Sequence, residues 1–166
     1  IHAAALAAEL GMRTVIVPPA AGVFSAVGLL CAQRESVRSS AFLHPVDTQF
    51  MAEVASRCQS LEAEALRELG PCEAPRITWR GELRYAGQGF ELPVELERNA
   101  GSPQAAAAAL RAQFAEVYRR TYGHDLGDTP AEFVALRVIA TAPATGLSAG
   151  FRLAGRAGAG SSVPVR

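Results

Sequence analysis

Between Ile77 and Leu96 the apolar residues keep a period of two and then change parity. Ile77, Trp79, Leu83 and Tyr85 are odd-numbered, whereas Phe90, Leu92, Val94 and Leu96 are even. A period of two places one set of side chains on one face of a strand, and parity changes only where the ladder turns or bulges. The stretch "AGQG" (86–89) stands at the change. It predicts two antiparallel strands joined there, with Gly87 and Gly89 at positive φ and Gln88 projecting from the tip. Pro93 falls on the polar parity and suits an edge strand.

Helical periods flank this pair. Phe50, Val54, Cys58, Leu61, Ala65 and Leu69 make one stripe over 48–69, closed by Gly70-Pro71. Ser102 offers an N-cap with Pro103 at the first helical position, and Leu110, Phe114, Val117 and Thr121 form a stripe running to Gly123. "EFVALRVIAT" (132–141) reads as a strand burying Val134, Leu136, Val138 and Ala140. At the front, "IHAAALAAELG" is a helix with no N-cap ahead of it, so the sequence is expected to be cut there. Gly11 suits its C-cap, and "RTVIVPP" reads as a buried strand. A helix from Gly22 or Val23 places Ser25, Gly28 and Ala32 on one small face, expected to be buried against neighbours. Pro18, Pro19 and Gly22 would bend the chain at a strand C-terminus, where α/β sheets place ligands; a packing helix without chemistry is the other reading.

These elements give an α/β half-unit over 1–36, then an α+β lobe over 47–142, with the boundary in 36–47. Residues 143–166, rich in Gly, Ala and Ser, read as a flexible tail or truncated loop.

The bulk composition excludes several classes. Sixteen basic residues balance 16 acidic ones, so no electrostatic footprint favours nucleic acid or an anionic membrane. Cys31, Cys58 and Cys72 have no metal-ligand spacing and are expected to be reduced thiols. No apolar run reaches the roughly 18 residues of a membrane span, and the N-terminus lacks the order of a signal peptide; a cytoplasmic protein is expected. No metal is expected to be held by this chain alone, and no GxSxG nucleophile motif occurs.

Two motifs could carry chemistry. Gln88 in its glycine-flanked turn is either a hairpin tip or a ligand group that can both donate and accept. Arg84 and Glu91 lie on the polar parity of their strands and could be a cross-strand pair. In "TYGHD", Gly123 caps the helix and Arg119 and Arg120 favour its negative end; His124 beyond them is either a surface histidine or a proton carrier.

"IHAAALAAELGMRTVIVPPAAGVFSAVGLL", then "LRYAGQGFEL", "YRRTYGHD" and "AEFVALRVIAT", in this order over residues 1–142, resemble the hydantoinase A and 5-oxoprolinase family of ATP-dependent ring-opening amidohydrolases. The resemblance implies the last elements of an actin-like ATPase lobe followed by a small α+β C-terminal domain. In that family a glycine-rich phosphate-binding turn precedes the helix that begins here with Ile1 and His2, so these two, with Gly22 and Ser25, would lie near the nucleotide. Arg84 and Gln88 would bind substrate and His124 would be catalytic. The resemblance further implies ATP and Mg2+, a phosphoryl-activated cyclic amide and a second hydantoinase B-type subunit or domain. An acetone or acetophenone carboxylase-like subunit and a non-catalytic subunit-docking module are the rivals.

Overall fold

The computed structural model describes residues 2–17, 21–99, 101–124 and 126–144. The chain divides into two units, residues 1–32 with 144–166 and residues 33–143, each taken here by itself.

In the first unit α1 (Ala3–Glu9) ends on Leu10 and Gly11; Gly11 has φ +65° as a helix-terminating glycine should, and the Met12 amide closes onto the Ala7 carbonyl at 2.8 Å. Residues 12–17 form no strand, contrary to the reading of "RTVIVPP", whose prolines lie outside the described residues. A β-branched run becomes a strand only when a neighbour pairs its backbone; none does so here, and Ile16 is 85% exposed. A 3-10 turn (Ala21–Val23) leads into α2 (Phe24–Cys31). Expected to be buried, α2 has no buried residue, and Leu29 is 77% exposed.

The second unit holds β1 (Glu35–Pro45), α3 (Met51–Leu69), β2 (Arg76–Tyr85), β3 (Leu92–Leu96), α4 (Pro103–Tyr122) and β4 (Ala131–Thr141). The four strands form one sheet in the order β1-β4-β2-β3, every neighbouring pair antiparallel. It follows that β1 and β2 run parallel with β4 between them and α3 as their connection. In the same way β3 and β4 run parallel, connected by α4, with β2 between. Helix α3 packs on β4 and β1 and α4 packs on β3. Cys58 and Ala65 of α3, Phe114 of α4, and Leu83, Val94, Phe133, Leu136 and Val138 of the sheet make a core of near-zero exposure. The predicted α3 stripe is the buried one, with Met51 added and Phe50 half-buried. Ser102 Oγ accepts from the Ala105 amide at 3.3 Å as the N-cap of α4.

Four expectations are corrected. Residues 36–47 are no boundary but mostly strand β1. Its inward residues are Ser36, Arg38, Ser40, Phe42 and His44, so the apolar alternation that reveals a strand is missing. Polar bonding replaces it, because Ser36 and Arg38 both meet the Glu68 carboxylate on α3. In β4 the residue buried at the start of the strand is Phe133 and not Val134. The ladder passes from Glu82↔Ala135 to Leu83↔Phe133, leaving Val134 as an extra residue that shifts the parity. On α4 the buried stripe is Ala107, Leu110, Phe114 and Tyr118, with Thr121 exposed. Phe90 is 81% exposed because pairing ends at Leu83↔Leu92.

Candidate functional site

The 86–90 loop is fixed at its base and at its tip. The Ala86 amide donates to the Pro130 carbonyl at 2.8 Å, the Gln88 amide to the Tyr85 carbonyl at 3.0 Å, and Gly87 takes φ +84°. Gly89 does not adopt positive φ, so one glycine, not two, makes the turn. Gln88 does not project from the tip either. Its side chain folds back, and Nε2 donates to the hydroxyl of Tyr118 on α4 at 3.0 Å. Eight residues (84–91) separate the two members of the last ladder pair, Leu83↔Leu92, six more than a two-residue hairpin turn needs, and this slack lets the amide reach the helix.

Tyr118 is 5% exposed and lies at the centre of an aromatic group. Its ring centroid is 4.9 Å from that of Tyr85, 6.0 Å from Phe114, 4.6 Å from Tyr122 and 5.9 Å from the His124 imidazole. His124 stands just past the end of α4, where Gly123 has φ +81° and its amide closes onto the Arg119 carbonyl at 2.8 Å. His124 Nδ1 lies 3.2 Å from the Tyr122 carbonyl. A carbonyl only accepts, so a hydrogen bond there places the proton on Nδ1 and leaves Nε2 as the ring's other nitrogen. Gln88 and His124, 36 positions apart, thus meet around one residue that periodicity did not mark as functional. The signal for Tyr118 was its place on α4 four residues before Tyr122 and one turn after Phe114.

Arg84 is not part of this group. Neighbouring residues of a strand point to opposite faces; Tyr85 faces the helices, and Arg84 lies on the other face of the sheet. There it pairs with Glu132 of β4 at 2.7 Å rather than with Glu91. Arg137 and Glu82 pair on the same face at 3.2 Å. The structure therefore brings together Gln88 and His124 and leaves Arg84 aside as a cross-strand ion pair. Of the four residues expected near the nucleotide, Ile1 lies outside the described residues. His2 is the exposed N-cap position of α1 without a side-chain cap bond, Gly22 lies in the 3-10 turn, and Ser25 is exposed in α2.

Other chemistry is limited. Burial, and then the charge of Glu62, push the Cys58 thiol up to about 12, so it stays protonated and unreactive at neutral pH. Among the described residues no group of three His, Cys, Asp or Glu could hold a metal ion. The chain has no lysine, and the first turns of α1 and α2 have no acidic residue. No helix among the described residues is long and apolar enough to cross a membrane.

Comparison with known proteins bears out the resemblance. Residues 1–37 match the Hydantoinase/oxoprolinase family. An uncharacterized protein of Methanocaldococcus jannaschii is 32% identical over 94 residues, which are 57% of this chain and 14% of that protein. Among solved structures, nucleotide-free acetone carboxylase, from work on ATP-dependent acetone carboxylation, superposes with a TM-score of 0.69 at 20% identity, covering 81% of this chain and 21% of that one. The ATP-dependent caprolactamase from Pseudomonas jessenii superposes with a TM-score of 0.65 at 26% identity, covering 83% of this chain and 21% of that one. The chain thus spans about a fifth or less of the proteins it matches. The fold is the one these ATP-dependent enzymes share.

Proposed function

We propose that this chain is the C-terminal part of an ATP-dependent enzyme that opens a cyclic amide, a hydantoin or a lactam. The observation that carries the reading is the likeness to the caprolactamase over 83% of the chain, and the match of residues 1–37 agrees with it. ATP and Mg2+ would be held mainly by other parts of the longer protein. A hydantoinase B-type subunit or domain would complete the enzyme. Within this chain the proposed substrate-facing group is Gln88 with His124, whose imidazole would serve as the proton carrier. The reading places the protein in the cytoplasm.

The test is lactam- or hydantoin-dependent ATP hydrolysis by the complete protein with its partner. Gln88→Ala should lower turnover by roughly tenfold or more while leaving the protein folded. Gly87→Ala is the folding control, because a Cβ at φ +84° is strained whatever the loop does. The 166-residue chain alone should hydrolyse no ATP. ATP hydrolysis dependent on a ketone and bicarbonate, with none on lactam, would replace the reading with that of a carboxylase subunit. Binding of a partner subunit with no hydrolysis under either condition would replace it with a docking role.

A further inference from the structure

We propose that Tyr118 is a positioning residue that turns the Gln88 carboxamide into a reader of the cis-amide edge of a ring. The inference rests on the cyclic-amide reading above and names how this chain would tell a ring from an open-chain amide.

A carboxamide has one carbonyl oxygen and two N–H donors. The Gln88 side chain commits a single N–H, to the Tyr118 hydroxyl at 3.0 Å, and keeps its oxygen and its other N–H. That bond does more than occupy a donor. An amide's two ends are chemically opposite, so fixing which end is nitrogen fixes where the acceptor lies. Tyr118 is itself held by burial and by Tyr85, Phe114 and Tyr122 packed against its ring. The backbone around Gln88 is held as well, through Ala86 to Pro130 and through its own amide to Tyr85. The carboxamide is therefore preorganised from both sides.

A ring of five to seven atoms forces its amide to be cis, with N–H and C=O side by side on one edge. An open-chain secondary amide is almost always trans, with the two groups on opposite edges. In this proposal Tyr118 takes the N–H anti to the Gln88 side-chain oxygen, which leaves the syn N–H beside that oxygen as a donor–acceptor edge that matches the cis amide with two hydrogen bonds and the trans amide with one. Sites built to bond a particular N–H reject analogues that lack it far more strongly than sites that merely enclose them. His124, beside the same tyrosine, belongs to the edge of this group rather than to the reading atoms.

The experiment compares caprolactam with N-methylcaprolactam, which keeps the ring and loses the N–H, as stimulators of ATP hydrolysis by the complete protein. It does so for the wild type, Gln88→Ala and Tyr118→Phe, with hydrogen exchange followed on the 86–91 segment of each. The wild type should prefer the N–H lactam by roughly tenfold or more in kcat/KM. Gln88→Ala should bring the ratio close to one. Tyr118→Phe keeps the ring packing, so it should raise exchange in 86–91 and reduce the ratio most of the way to that of Gln88→Ala, a change in selectivity that a merely structural tyrosine would not cause. Unchanged exchange in Tyr118→Phe overturns the positioning role. Raised exchange with a wild-type ratio overturns the reading by Gln88. A wild type that responds to neither lactam overturns the cyclic-amide function itself and the substrate role with it, whereas the exchange result still separates a latched loop from a free one.

Discussion

At Gly81 the backbone of the sheet lies so close to the buried Phe133 ring that an added Cβ would press on it. A Cβ there would stand 3.0 Å from Cε1 and 3.2 Å from Cδ1 of Phe133. Phe133 cannot easily yield, since it is fully buried and packed edge-on against Phe42 at 5.6 Å. Its position is also fixed by the extra residue Val134, which sets the parity of β4 at that point. Gly81→Ala should therefore overpack the core and lower stability by about 1–3 kcal/mol, measured by urea unfolding. A change within about 0.5 kcal/mol, the usual range of a surface substitution, would mean that the ring has room to move.

At the scale of elements, β1 is the strand whose attachment depends most on polar groups. The Ser36 hydroxyl and the Arg38 guanidinium both bond the Glu68 carboxylate near the end of α3. These hydrogen bonds, Ser36 first and Arg38 second, hold the Glu68 carboxyl below its ordinary value of 4.5. A lowered folded-state value means that the unfolded chain takes up the proton first. The contribution of Glu68 is then present above pH 4.5 and is lost as pH falls below it. In Glu68→Gln the end of β1 over residues 36–38 should exchange its amides faster than in the wild type at pH 7, and the two should converge as the pH is lowered through 4. Equal exchange at pH 7 would show that pairing with β4 alone holds the strand.

At the scale of the whole molecule the two units differ in what holds them. Residues 33–143 enclose a continuous core under two helices. In the described part of residues 1–32 Ala7 is the sole buried residue, and Leu6, Leu10, Ile16, Val17, Leu29 and Leu30 are exposed. Apolar side chains left in water contribute nothing to holding a helix, and helices of seven and eight residues are marginal without packing. Hydrogen exchange of the 166-residue chain should be close to complete within seconds over α1 and α2 and slow in β2, β4 and the middle of α3. Strong protection of α1 and α2 in the chain alone would show that they need no further surface to cover them.

The elements legible in the sequence were those whose signal is local. The stripe of α3, the Ser102 and Gly123 ends of α4 and the parity change between β2 and β3 were each set by neighbours within a few residues, because a helix period, a cap and a pleat are properties of short backbone. Gln88 and His124 were legible as chemistry, one a carboxamide in a glycine turn and the other an imidazole beyond a helix end. What lay beyond the sequence was their meeting at Tyr118, since a bond between a loop and a helix 30 residues later exists only once the sheet has ordered both. Arg84 was misplaced for the same reason, as its partner Glu132 comes from β4, which is inserted beside β2 from the far end of the lobe. Strand β1 stayed hidden because its inward face is satisfied by a carboxylate on α3 instead of by apolar burial. Sequence alone determined the elements bounded by their own periods and caps; tertiary structure decided the strand order, the parity of β4 and the composition of the site, because each depends on groups far apart in the chain brought within bonding distance.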